Sequence, residues 1–248
     1  MKTLKALSAL LTYPSPALAR AVPEIRDVLH DEGVLARPRR DALEPLLRDL
    51  AAGDLYDLQE RYGMLFDRTR SLSLHLFEHV HGESRDRGQA MVDLRGVYEA
   101  AGFAIEGGDL PDFVPLFLEF CALRPPAEAR QLLAEPAHVL AALGERLRKR
   151  DTAYAAVFEA LVALAAAAPS EEARGAVVPD AGEDPTDLGA LDAAWEEVEV
   201  RFGLGADAAC GTESLAAKLR QARRPAPGVE VPGAHPSRAV FTHLSSRA

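Results

Sequence analysis

Residues 89–102 read QAMVDLRGVYEAAG, and the spacing of their apolar side chains decides the fold class. Ala90, Met91, Leu94, Val97, Tyr98 and Ala101 step by three and four, the period that gathers side chains on one face of an α-helix, and Gly102 supplies a C-terminal stop. The stretch predicts an amphipathic core helix. The same period runs through nearly the whole chain, where alternating β-branched residues are rare and alanine and leucine dominate. The expectation is an all-α protein with helices near 3–12, 15–30, 40–52, 54–66, 70–81, 85–101, 112–123, 126–134, 137–150 and 152–168.

Composition divides the chain into a helical domain at 1–168, an acidic, Pro- and Gly-rich linker at 169–186, a docking helix at 187–203 and a mostly flexible tail at 204–248. In the docking segment Leu191, Ala194, Trp195 and Val198 share a face. At the N-terminus, Lys2 and Lys5 precede an apolar run and Ala17-Leu18-Ala19 imitates a signal-peptidase site. Leu4, Leu7, Leu10 and Leu11 nevertheless recur at helical spacing before Tyr13-Pro14, which predicts a first core helix instead. No apolar run reaches the roughly 18 residues of a membrane span, so no direct membrane insertion is expected.

With 248 residues, 48% of them hydrophobic, the chain can bury a substantial core. A formal net charge of -10 and a pI near 5.2 argue against nucleic-acid binding, which needs a basic face, and favour basic partners such as an arginine-bearing peptide. The nearest basic helix, KLRQARR at 218–224, falls in the region expected to be mobile. Cys121 and Cys210 form neither a disulfide framework nor a metal knuckle, in keeping with a reducing cytosol.

Leu72 to Gly88 reads LSLHLFEHVHGESRDRG, within which His75, Glu78 and His79 spell H-x-x-E-H, a zinc-peptidase motif. On a helix turning about 100° per residue, Leu72, Leu74, Leu76, Phe77 and Val80 take the apolar side. His75, Glu78 and His79 then share the polar arc, and His81 falls away from them. Two imidazoles leave catalytic zinc short of a third protein ligand, and no pattern selects Glu119 or Glu159 for that place. The preferred reading is a solvated or groove-facing strip of a binding protein with no metal, no cofactor and no catalytic residue; a zinc-dependent hydrolase is the alternative. Gly82 is expected to end this helix and Ser84 to cap the next, with Arg85 and Arg87 pairing to nearby carboxylates.

LFEHVHGESRDRGQAMVDL, Leu76 to Leu94, closely resembles the signature of the NarJ-type chaperones, the delta proteins of respiratory nitrate reductase within the TorD/DmsD group. Tyr62-Gly63-Met64-Leu65-Phe66-Asp67 resembles the Y-x-x-L-F segment of that group, and Asp109-Leu110-Pro111-Asp112 its E-L-P-D-H segment. LTYP near the start and LDAAWEE at 191–197 are also similar, so the likeness runs with gaps from about residue 4 to 203. Phe113 stands where the group commonly has histidine, and Asp109 where it has glutamate.

The resemblance implies a single multi-helix domain of the TorD/DmsD type and a cytoplasmic, non-enzymatic chaperone dedicated to one client. Such proteins bind the N-terminal region of the apo catalytic subunit of nitrate reductase, support molybdenum cofactor insertion and time membrane anchoring. The client segment resembles a vestigial twin-arginine leader, and contact with the cofactor insertion machinery is a further implied partner. A leader needs an apolar groove with carboxylates near its basic end. Tyr62, Leu65 and Phe66 are the expected walls, and Pro111, Asp112 and Phe113 a rigid helix entrance in which Asp112 also caps the helix that follows. Phe113, Leu116, Phe117 and Phe120 form a stripe at helical spacing, with Phe117 and Phe120 read as core. His75, Glu78 and His79 are expected to make polar contact with the client, sensitive to pH near neutrality.

Overall fold

The leucines of the first helix, α1 (Lys2–Leu10), are the centre of the core: Leu4, Leu7 and Leu10 are fully buried, as is Leu11 just beyond. A computed structural model describes residues 1–82, 86–175, 177, 189 and 242–243. The N-terminus of α1 has no side-chain cap of its own. Glu32 supplies one from a distance, accepting from the backbone N–H groups of Lys2 and Thr3 at 2.9 and 2.5 Å.

α2 (Pro16–Asp31) starts where Ser15 accepts from the Leu18 N–H and Pro16 presets the first turn. α3 (Arg37–Ala52) packs on it through Leu43, Leu46, Leu47 and Leu50. Asp54 caps α4 (Leu55–Tyr62), which runs directly into a π-helical turn, Gly63–Asp67, closed by the Arg68 N–H on the Gly63 carbonyl. A single 3-10 turn follows at Arg70–Leu72.

Among the described residues the remaining helices are α5 (Glu78–His81), α6 (Asp86–Ala100), α7 (Val114–Ala122), α8 (Pro126–Ala134), α9 (Ala137–Lys149), α10 (Ala155–Leu164) and α11 (Glu171–Gly175). α7 is apolar on nearly every side and packs against α1, with the Ser8 hydroxyl donating to the Pro115 carbonyl at 2.8 Å. α9 and α10 form a tight hairpin. A Cβ on Gly144 would lie 3.2 Å from that of Phe158, so the missing side chain sets how closely these two helices approach. The all-α expectation holds, and so does the first core helix.

Four local expectations need correction. Residues 70–81 do not form one helix: the chain leaves the 3-10 turn, makes an antiparallel bridge between His75 and Phe113, and becomes α-helical only at Glu78. α6 is a helix, ended as expected by Gly102 with φ +81, but it is not a core helix. Of its residues only Tyr98 is buried, while Val92 and Val97 are 64% and 46% exposed. α10 stops at Leu164 although alanines continue, because the Ala166 N–H is taken by the Arg130 carbonyl. Asp112 does not cap α7; Phe113 is the N-cap residue and offers no side-chain bond.

Within the stretch read as a linker, 171–175 are helical as α11 and Val177 is buried. Thr242–His243 (β2), read as tail, pairs antiparallel with Phe103–Ala104 (β1), Phe103 opposite His243. The rest of the linker, the docking helix apart from Gly189, the remaining tail and the Ser84 cap lie outside the described residues.

Candidate functional site

The residues singled out by sequence fall into two groups. In the first, Tyr62 and Phe66 belong to an aromatic cluster with Tyr154 and Tyr13, ring centroids 4.8 to 6.3 Å apart. Tyr62 is 5% and Phe66 6% exposed, so neither forms an open groove wall. The reason is geometric: the π turn swings Phe66 inward, and the Tyr62 hydroxyl donates to the Leu11 carbonyl at 2.8 Å. Burial raises the Tyr62 and Tyr154 phenols, the latter to about 12, so both remain neutral donors. Leu65 is half-buried against the core and Tyr13 is 52% exposed.

The second group is built around Asp112, which is fully buried. One carboxylate oxygen accepts from the Phe77 N–H at 3.1 Å and the other lies 3.2 Å from His75 Nδ1. The Leu76 N–H donates to the Asp112 carbonyl and the Val114 N–H to the Leu74 carbonyl, completing a two-sided clasp between 74–77 and 112–114. The His75 and Phe113 rings sit 5.4 Å apart beside it, both partly exposed. Pro111 is buried, its carbonyl accepting from Tyr98 at 2.7 Å, which is what holds α6 to the body. Asp112 therefore presents no carboxylate to a ligand; it fastens a loop.

His79 is 2% exposed, contrary to its place on a solvated arc. Its Nε2–H donates to the Ser73 carbonyl at 2.7 Å, and Nδ1 lies 3.3 Å from Arg146 Nη1. A guanidinium only donates, so Nδ1 accepts and the imidazole is neutral. Burial lowers its pKa, and the Arg146 charge pushes the same way against the Ser73 bond. Arg146 also donates to the Ser71 carbonyl at 2.7 Å, tying the 71–79 segment to α9. Glu78 pairs with Arg87 at 2.9 Å, as the ordinary fate of surface charge suggests.

This geometry dismantles the H-x-x-E-H reading. His75 lies outside the helix, both nitrogens of His79 are engaged, and a cation stands where a metal would approach. Among the described residues no group of three His, Cys, Asp or Glu side chains converges on a metal-sized site.

The sequence reading did not anticipate Arg146, nor an open cleft of about 480 Å³ between α3, α9, α10 and α11. Leu140, Ala141, Phe158 and Val162 make its apolar wall; Arg39, Arg148 and Arg174 stand around it with Glu145 and Glu159. Arg39 and Glu159 form an ion pair across it. A helical glycine within an otherwise strong helix former, Gly144, is the signal that marks this hairpin. A smaller apolar recess of about 130 Å³ lies between Pro14, Leu18, Leu50, Leu55 and Leu58.

Fold and site define an all-α protein in which His79 and Asp112 are spent on internal clasps while His75 and Glu78 reach the surface. The chain belongs to the nitrate reductase delta subunit family, whose model matches residues 17–160. It is 42% identical over 221 residues to the nitrate reductase molybdenum cofactor assembly chaperone NarJ of Escherichia coli K12, covering 89% of this chain and 92% of that one. It is 40% identical over 219 residues to the probable nitrate reductase molybdenum cofactor assembly chaperone NarW of the same strain, covering 87% and 90%. To the probable NarJ of Bacillus subtilis it is 31% identical over 164 residues, covering 65% and 86%.

Proposed function

We propose that this protein is a nitrate reductase assembly chaperone that binds the N-terminal region of the apo catalytic subunit, supports molybdenum cofactor insertion and times membrane anchoring. The observation that carries this reading is likeness to an assembly chaperone along nearly the full length of both chains. The structure adds that no helix among the described residues is long and apolar enough to cross a membrane. It works in the cytoplasm without catalysing a reaction, and its acidic surface suits a basic leader.

Client contact falls to those candidate residues whose side chains reach the surface: Leu65, His75, Glu78 and Phe113. Tyr62, Phe66, His79, Pro111 and Asp112 act beneath them, holding the turn and the clasp in place. Burying about 500 Å² of apolar surface at about 25 cal/mol/Å² yields roughly 12 kcal/mol gross. Losing free motion and ordering the peptide removes at least about 4 kcal/mol of that, leaving binding around micromolar, held yet reversible.

The test is co-purification from cells producing the tagged chaperone with the nitrate reductase subunits. The catalytic subunit, poor in molybdenum cofactor, is expected to come down with it, and Leu65→Asp with Phe113→Asp to abolish recovery while helicity persists. Recovery unchanged in that variant would remove these residues from the contact surface; no recovery with the wild-type chain would remove the function.

A further inference from the structure

The cleft between α3, α9 and α10 is half finished. Leu140 and Phe158 floor it from within the core, Ala141 and Val162 are half-buried and Ala163 is exposed along it, and its basic rim is only partly compensated. Arg39 is paired with Glu159 and Glu145 with Lys149, whereas Arg148 and Arg174 have no ion-pair partner among the described residues. On an acidic protein, two cations without an ion-pair partner among the described residues, beside a cleft edged by small apolar side chains, call for an acidic, amphipathic occupant.

The chain itself carries one at the right place. α11 puts Arg174 on the cleft edge, and Val177 is buried two residues past the helix end, so the described chain stops three residues beyond a cleft-lining side chain. Residues 178–200 contain no lysine or arginine but include Asp180, Asp184, Asp187, Asp192, Glu196 and Glu197. Within them Leu191, Ala194, Trp195 and Val198 recur at i, i+3, i+4 and i+7.

We propose that residues 188–200 seat in this cleft, their apolar stripe on the α9–α10 wall and their carboxylates on Arg148 and Arg174. Reach is no obstacle: from Val177 to Leu191 the chain spans up to roughly 45 Å when extended at about 3.3 Å per residue, several times a helix diameter of about 10 Å. Tethering so near holds the segment at millimolar effective concentration, so a contact that is weak between separate molecules is populated within one. The cleft is thus an internal docking site for the chain's own acidic segment, and this assignment stands apart from the chaperone reading.

Trp195 is the single tryptophan of the protein, so the emission of the intact chain reports on this segment alone. The wild type is expected to show blue-shifted emission and protection from acrylamide, independent of protein concentration. Arg148→Glu with Arg174→Glu, both at exposed positions, should shift the emission to the red and raise the quenching constant several-fold with helicity unchanged. Glu196→Arg with Glu197→Arg in that background should restore protection. Water-like emission in the wild type would overturn the proposal. So would a blue shift that ignores both the charge reversal and Ala163→Glu on the cleft wall, or one that fades on dilution and therefore arises between copies.

Discussion

His79 shows how a residue chosen for one property works through another. Its polarity was legible; its burial was not, because helical spacing assumes a helix and this segment has none before Glu78. Once the imidazole lies between the Ser73 carbonyl and Arg146, protonation costs stability. Burial in the folded state holds its pKa below the ordinary histidine value of 6.5, so the folded protein binds fewer protons than the unfolded chain below that pH. Its contribution is complete above about pH 6.5 and is lost as pH falls through the window between the two pKa values. His79→Gln retains a donor for Ser73 and does not titrate. Melting temperatures at about pH 7.5 and about pH 5.5 are expected to differ less in this variant than in the wild type. An equal difference would mean that other groups carry the acid sensitivity. Tyr62 teaches the same lesson: removing its ring should cost about 3–5 kcal/mol of stability, read from denaturant midpoints, as for an aromatic in a packed core. A Tyr62→Ala cost below about 1 kcal/mol would instead indicate an exposed wall.

At the scale of elements, the helical period was legible almost everywhere, since three-four spacing and the Gly82 and Gly102 stops are local signals. What an element packs against is not local. α6 has a clear apolar stripe, yet of its residues only Tyr98 is buried and Leu94 is partly covered, and no property of QAMVDLRGVYEAAG separates a stripe facing the core from one left open. The 70–81 segment fails for a related reason, because its backbone partners sit about 37 residues away at 112–114. The α9–α10 hairpin gives an element-scale prediction. Gly144→Val puts branched bulk where one Cβ would already meet Phe158 at 3.2 Å, and should destabilise by about 1–3 kcal/mol through overpacking. Chemical denaturation would show it, with the midpoint lowered; an unchanged midpoint would mean the hairpin has room to spread.

For the molecule as a whole, fold class and family were legible because both rest on patterns spread over the chain, helical spacing for one and several separated motifs for the other. The site was only partly legible. YGMLFD and LPDF point to these two regions, but the π turn and the Asp112 clasp bury Tyr62, Phe66 and Asp112 and leave Leu65, His75, Glu78 and Phe113 as the contact surface we propose. In the function we propose, this body holds the leading end of a nitrate reductase catalytic subunit. Titration calorimetry of the intact protein with a synthetic peptide of that N-terminus tests it most directly. Saturable binding near one to one is expected, with Kd around micromolar and a negative heat-capacity change from apolar burial. No heat of binding at high peptide concentration, or equal binding of a scrambled peptide, would contradict it.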